Sequence, residues 1–180
     1  MKDCMIDLET LGTDPGCVVA SIGAVLFDLD SGKVGNTFHM VLDIDDQLKS
    51  GRTITGDTLK WWFQQGEEAK RIFHEKAKPA KAVLTLFTQW FQSNGGSKTY
   101  VWGNGASFDI PILENLYNSL GLITPWKYNK IMDLRTFKRF VGKDAQVENL
   151  GVAHNALDDA KAQAYYVIKM SKQGSDPSES

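Results

Sequence analysis

Apolar positions along this chain open with a strand period and later become mainly helical. Through residues 5–8, 18–27 and 34–42 they form short alternating or β-branched-rich runs, which predicts three strands. The links between them are turn-rich, with Gly-Thr-Asp-Pro-Gly at 12–16 and Asp-Leu-Asp-Ser-Gly-Lys at 28–33. The chain is therefore expected to open as an antiparallel meander. From Asp57 the period becomes helical, with Asp57 or Thr58 as cap and Leu59, Trp62 and Phe63 at helical spacing. Further helices are expected over 67–76 and over 80–93, the second with the stripe Val83, Leu84, Phe87, Trp90 and Phe91. A strand at 99–102 leads to a helix capped by Ser107 and closed at Leu120-Gly121. A strand at 128–132 and a helix at 134–141 follow, and a last helix runs from Asn155 to about Ser171. Residues 43–56 are polar and read as a surface loop, and 142–153 show no period. The tail from Gln173 is polar and expected to be disordered, which leaves one domain over residues 1–172.

Composition narrows the class. At 180 residues the chain can bury a real core. No apolar run approaches the roughly 20 residues that span a bilayer, and the first residues lack a signal-peptide core. The expected location is the cytoplasm, the host's if the chain is phage-encoded. Cys4 and Cys17 lack metal-type spacing and read as reduced structural residues. A net charge of −2 argues against a coating protein for nucleic acid, but not against an enzyme acting on it.

Candidate chemistry begins in the first strand. Asp7 and Glu9 lie two apart, so both project to one face. On an edge strand they would be solvated acids; on a core strand they repel and call for a compensating charge, for which a divalent metal is the candidate. Asp109 falls in the first turn of its helix, where a carboxylate also favours the helix N-terminus. Near the end, Asn155 as N-cap puts Asp158 at the third helical position, able to bond back to the cap, and leaves Asp159 without such a task. His154 stands just before that helix. Trp61 and Trp62 are about 100° apart on a helix, so one is expected inward and the other partly exposed, where it could stack on a base. Arg135, Lys138 and Arg139 face largely outward as candidate phosphate contacts or as a solvated face.

Asp-Leu-Glu-Thr at 7–10, Asn-Gly-Ala-Ser-Phe-Asp ending at Asp109, and His154 with Asp159 five residues on resemble the three motifs of the DEDDh, DnaQ-like exonucleases. Their order and spacing agree from Asp7 to the last helix. Asp133-Leu134-Arg135-Thr136 also resembles a segment seen upstream of the third motif. Within the group, the tryptophan pair and the run 102–109 are most similar to phage exonuclease A and exonuclease VIII-type proteins. A bacterial 3′-5′ exoribonuclease class is also similar.

The resemblance implies an α/β ribonuclease H-like fold, with a mixed central sheet, antiparallel first three strands and flanking helices. It implies a 3′-5′ exonuclease that releases 5′-mononucleotides, with DNA favoured, from nucleic acid with a free 3′ end, single-stranded rather than duplex. Asp7, Glu9, Asp109 and Asp159 would hold two divalent ions, Mg²⁺ or Mn²⁺, and His154 would act as general base. Leu8, Thr10, Leu11 and Phe108 would lie near the terminal nucleotide, with Trp62 as a further substrate contact. Alternatives are an exoribonuclease of the same fold, a ribonuclease H-type endonuclease, and a binding module that has lost its chemistry.

Overall fold

The computed structural model describes residues 1–141 and 151–173. Its centre is a five-stranded sheet in the order β3-β2-β1-β4-β5. Strands β1 (Asp3–Thr10), β2 (Val19–Asp28) and β3 (Lys33–Val41) form the antiparallel meander. Strands β4 (Tyr100–Gly103) and β5 (Ile131–Asp133) add parallel on the other side of β1, making the sheet mixed. The β2–β3 turn closes through Asp28, whose side chain accepts from the Ser31 N–H while its carbonyl accepts from Gly32. Gly32 supplies the positive φ of 69° there.

Strand alternation divides the core. Cys4, Ile6 and Leu8 of β1 face helices α4 (Ala80–Asn94) and α5 (Asp109–Ser119), meeting Leu84, Phe87, Phe91 and Leu113. Met5 faces the other way, with Val25 and Phe27, onto α7 (Ala156–Gln173) through Ala160, Ala164 and Val167. Asp7 and Glu9 share that second face further along β1. Gly23 lets α7 begin directly over the sheet, since a Cβ there would lie 2.1 Å from the Ala156 carbonyl carbon. At the end of β1 the register slips: Glu9 pairs with Ser21 but Thr10 with Val19, leaving Ala20 as an extra residue. A third cluster, with Leu11, Val18, Ala20 and Trp62, packs beneath α2 (Gly56–Phe63) and α3 (Glu67–Lys70).

Several expectations are corrected. The polar stretch 43–56 holds helix α1 (Ile44–Lys49), capped by the Asp43 side chain on the Asp46 N–H. Gln47 is buried there because its amide pairs with both the N–H and the C=O of Val19. Helix α2 starts at Gly56 with Thr55 as cap, not Asp57 or Thr58, and Phe63 is 76% exposed instead of inward. The helix expected over 67–76 is α3 followed by a 3-10 turn, Arg71–His74. The strand expected over 128–132 is a 3-10 turn, Tyr128–Lys130, before the short β5. Phe108, not Ser107, occupies the cap of α5. Helix α6 (Leu134–Val141) buries Leu134 with Phe137 and Val141 packed beside it, as its spacing indicates. Helix α7 continues through Gln173; the rest of the expected tail, 174–180, and most of the 142–153 stretch lie outside the described residues. Both cysteines are buried and free. Among the described residues no helix is long and apolar enough to cross a membrane.

Candidate active site

Asp7 and Glu9 line a cleft of about 940 Å³ on the α7 face of the sheet. Helix α7 brings Asp159 to the same cleft, and the turn before it brings His154. Ligand atoms of Glu9, His154 and Asp159 all lie within 4.8 Å of one another. Asp109 sits below this group, 1% exposed, at the first residue of α5. One of its oxygens accepts from the Leu8 N–H at 3.2 Å and the other from the Asn104 N–H at 2.7 Å, so the carboxylate ties the end of β1 to the end of β4.

The four carboxyls do not sit comfortably as anions. Burial, then the charges of Asp109, Glu9 and Asp159, holds Asp7 well above the usual carboxylate range. Glu9 is pushed up to about 8 by burial and then by Asp159 and Asp109. Asp109 is pushed up to about 6 by burial, against the pull of its backbone N–H partners and of Arg135. Burial raises Asp159 as well, opposed by His154. Among the described residues, no Lys or Arg forms an ion pair with any of the four. Four oxygen-donor groups in one place without a cationic partner fit hard divalent cations of the Mg²⁺ or Mn²⁺ kind.

His154 is the only non-glycine among the described residues with a positive φ, 63°. Its backbone N–H donates to Asp159 Oδ2 at 3.1 Å, and the Asn155 N–H donates to the Val152 carbonyl. The turn throws the imidazole over the cleft, where it meets Trp61 edge-to-face at a centroid separation of 4.8 Å. Asn155 caps α7 through the N–H groups of Leu157 and Asp158. Asp158 does not bond back to the cap; its carboxylate accepts from the Val152 N–H at 3.0 Å.

The substrate-contact expectations divide. Leu8, Thr10 and Phe108 line the cleft. Leu11 does not: it is 2% exposed and packs in the third core cluster. Trp62 is likewise corrected, since it is 2% exposed and its indole N–H donates to the Thr10 carbonyl at 2.9 Å. Trp61 is the exposed member of the pair and lines the cleft. Of the three α6 cations, Lys138 alone lines the cleft. Arg135 lies against Gly105, whose missing Cβ would sit 3.5 Å from the guanidinium carbon, and Arg139 is exposed.

Sequence reasoning missed Gln163, which donates from Nε2 to Asp7 Oδ1 at 2.7 Å. The available signal was its position four residues beyond Asp159, one helical turn along the same face.

The family model described as the 3′-5′ exoribonuclease Rv2179c-like domain matches residues 2–170. An exodeoxyribonuclease of Enterobacteria phage T4 is 27% identical over 150 residues, covering 77% of this chain and 64% of its own length, so the chain spans somewhat under two thirds of that enzyme. The nuclease domain of 3′hExo, a DEDDh family member bound to rAMP, superposes with a TM-score of 0.64 at 16% identity, covering 95% of this chain and 92% of its own. E. coli exonuclease I in complex with a dA16 oligonucleotide has a TM-score of 0.64 at 17% identity, covering 94% of this chain and 40% of its own. These two structural likenesses establish the ribonuclease H-like fold expected from the motifs.

Proposed function

The chain belongs to the Rv2179c-like family of 3′-5′ exoribonuclease domains, and from that premise we propose that it is a metal-dependent DEDDh exonuclease that removes 5′-mononucleotides from single-stranded 3′ ends. The observation that carries the reading is the cleft that Asp7, Glu9, Asp159 and His154 line together, with buried Asp109 bonded to the Leu8 N–H of the same strand and, among the described residues, no Lys or Arg ion-paired to any of the four acids. DNA is the favoured substrate, in line with the exodeoxyribonuclease named for the phage relative. The family's own description favours RNA, which is the second reading.

Asp7, Glu9, Asp109 and Asp159 would hold two divalent ions. Bound there, the ions supply charge neutralisation on the phosphate and lower the pKa of a water. The chain's own groups do the rest. His154 takes the proton of the attacking water; its edge contact with Trp61 and the bond from its backbone to Asp159 fix where the ring stands. The water oxygen bonds to phosphorus and the P–O3′ bond breaks; the 3′ oxygen of the shortened strand takes a proton from solvent to become a hydroxyl, and the phosphate leaves on the released 5′-mononucleotide. Trp61 presents an exposed ring for the terminal base. Leu8, Thr10 and Phe108 flank its sugar, and Lys138 meets a phosphate.

The test is digestion of 5′-labelled DNA and RNA oligomers with Mg²⁺ or Mn²⁺, beside a circular single strand. A ladder shortening from the 3′ end, mononucleotide products and an intact circle are expected. Cleavage of the circle would replace this reading with an endonuclease, and no cleavage of any substrate would leave a binding module.

A further inference from the structure

Each carboxylate of the cluster is held differently. Asp109 is fixed by two backbone N–H groups and Asp159 by one. Asp7 instead takes a hydrogen bond from a side chain, the Gln163 amide. That amide is 6% exposed, yet Gln163 borders the cleft. Its other end is unserved, because Gln163 Oε1 is buried without a hydrogen-bond partner.

A buried carbonyl oxygen with no donor weakens the fold. An unbranched apolar side chain of the same length would fill the space and remove that cost. The position nevertheless carries an amide, and its N–H end points at Asp7, one of the carboxylates that would hold the ions. A ligating carboxylate must keep its remaining lone pairs turned toward the ion. With Gln163 occupying one lone pair of Oδ1, Oδ2 and the remaining lone pair of Oδ1 stay free, and rotation of the carboxylate is blocked. Groups that orient ligating carboxylates in this way govern metal affinity without touching the ion.

We propose that Gln163 is the positioning residue of the site, locking the Asp7 carboxylate in the orientation that receives the metal ions. This rests on the reading of Asp7 as a ligand. Replacing Gln163 removes the unserved Oε1 but also takes the donor from Asp7 Oδ1, so the two effects on the fold offset while function is harmed.

The experiment uses the full chain carrying Gln163→Met, with Gln163→Leu in reserve should the first fail to fold. Three quantities are read: the melting temperature without metal, Mn²⁺ affinity by calorimetry without substrate, and kcat and KM on a single-stranded oligomer. Mn²⁺ binding should weaken by about 10–100-fold. The metal-free melting temperature should change little, and kcat should fall while KM for the oligomer holds. Unchanged Mn²⁺ affinity overturns the proposal. So does a melting temperature that falls in step with activity, which is the mark of a merely structural amide. Asp7→Asn runs in parallel: if it binds Mn²⁺ and cleaves like the parent, the ligand reading fails and this proposal with it. If Asp7→Asn is dead while both Gln163 variants match the parent, only this proposal falls.

Discussion

Arg52 and, in the acid cluster under α7, Glu9 and Asp109 are buried, and the fold serves their polar atoms differently. Arg52 is 5% exposed, and all three guanidinium nitrogens are used: Nε donates to the Cys17 carbonyl, Nη1 to Asn115 Oδ1 and Nη2 to the Pro15 carbonyl, at 2.7–2.9 Å. It pins the loop after β1 to α5 and faces neutral acceptors only. The acid cluster under α7 is the reverse. Its members crowd like charges together, and every one is pushed toward its neutral form. Satisfied burial marks a strut; frustrated burial marks a group kept for a partner that arrives from outside.

The contrast predicts opposite consequences of deletion. The largest effect is on chemistry: Asp7→Ala should lower the cleavage rate by about 10³-fold or more, while the metal-free melting temperature holds or rises as repulsion is relieved. Single-turnover assays and calorimetry read both. A variant that cleaves normally would remove the distinction between the two regions. Next comes Arg52→Met, which should cost about 2–5 kcal/mol in denaturant unfolding, because it strands two carbonyls and an amide oxygen. A cost near zero would show that the guanidinium is no strut.

Proton linkage sharpens the same contrast. The cluster's folded-state pKa values lie above the ordinary carboxylate range of about 4. Their stabilising contribution is therefore complete below that pH and is lost as pH rises through the folded values, about 6 for Asp109 and about 8 for Glu9. Metal-free protein should become less stable from pH 4 toward pH 8, and Mg²⁺ or Mn²⁺ should restore the loss at the alkaline end. Glu9→Gln should flatten the slope; a profile already flat in the parent would contradict the raised pKa values. The smallest effect belongs to Trp61→Ala, which should raise KM for the oligomer by a factor corresponding to about 1–3 kcal/mol. A KM unchanged by that substitution would remove the stacking role.

How far the sequence reveals such a molecule depends on whether an element's partners are close by in the chain. The meander is legible because β1, β2 and β3 each pair with a sequence neighbour across turn-rich links. The site residues are legible because strand alternation puts Asp7 beside Glu9, and helix starts place Asp109 and Asp159. Residues 43–56 are opaque for the opposite reason. Gln47 and Arg52 bury themselves on the backbone of residues 15–19, a contact that no local pattern announces. The choice between Trp61 and Trp62 is hidden in the same way, since the Thr10 carbonyl decides it from another element. The left-handed turn at His154 leaves no local sign either, because a histidine tolerates that conformation without advertising it.

Helix α7 lies across β1 and β2, so residues 3–10 and 156–173 complete one another. Asp7 and Gln163 lie 156 positions apart in the chain yet share a hydrogen bond, so the proposed site is built from segments distant in sequence. The proposed site is therefore complete only when α7 has docked on β1 and β2.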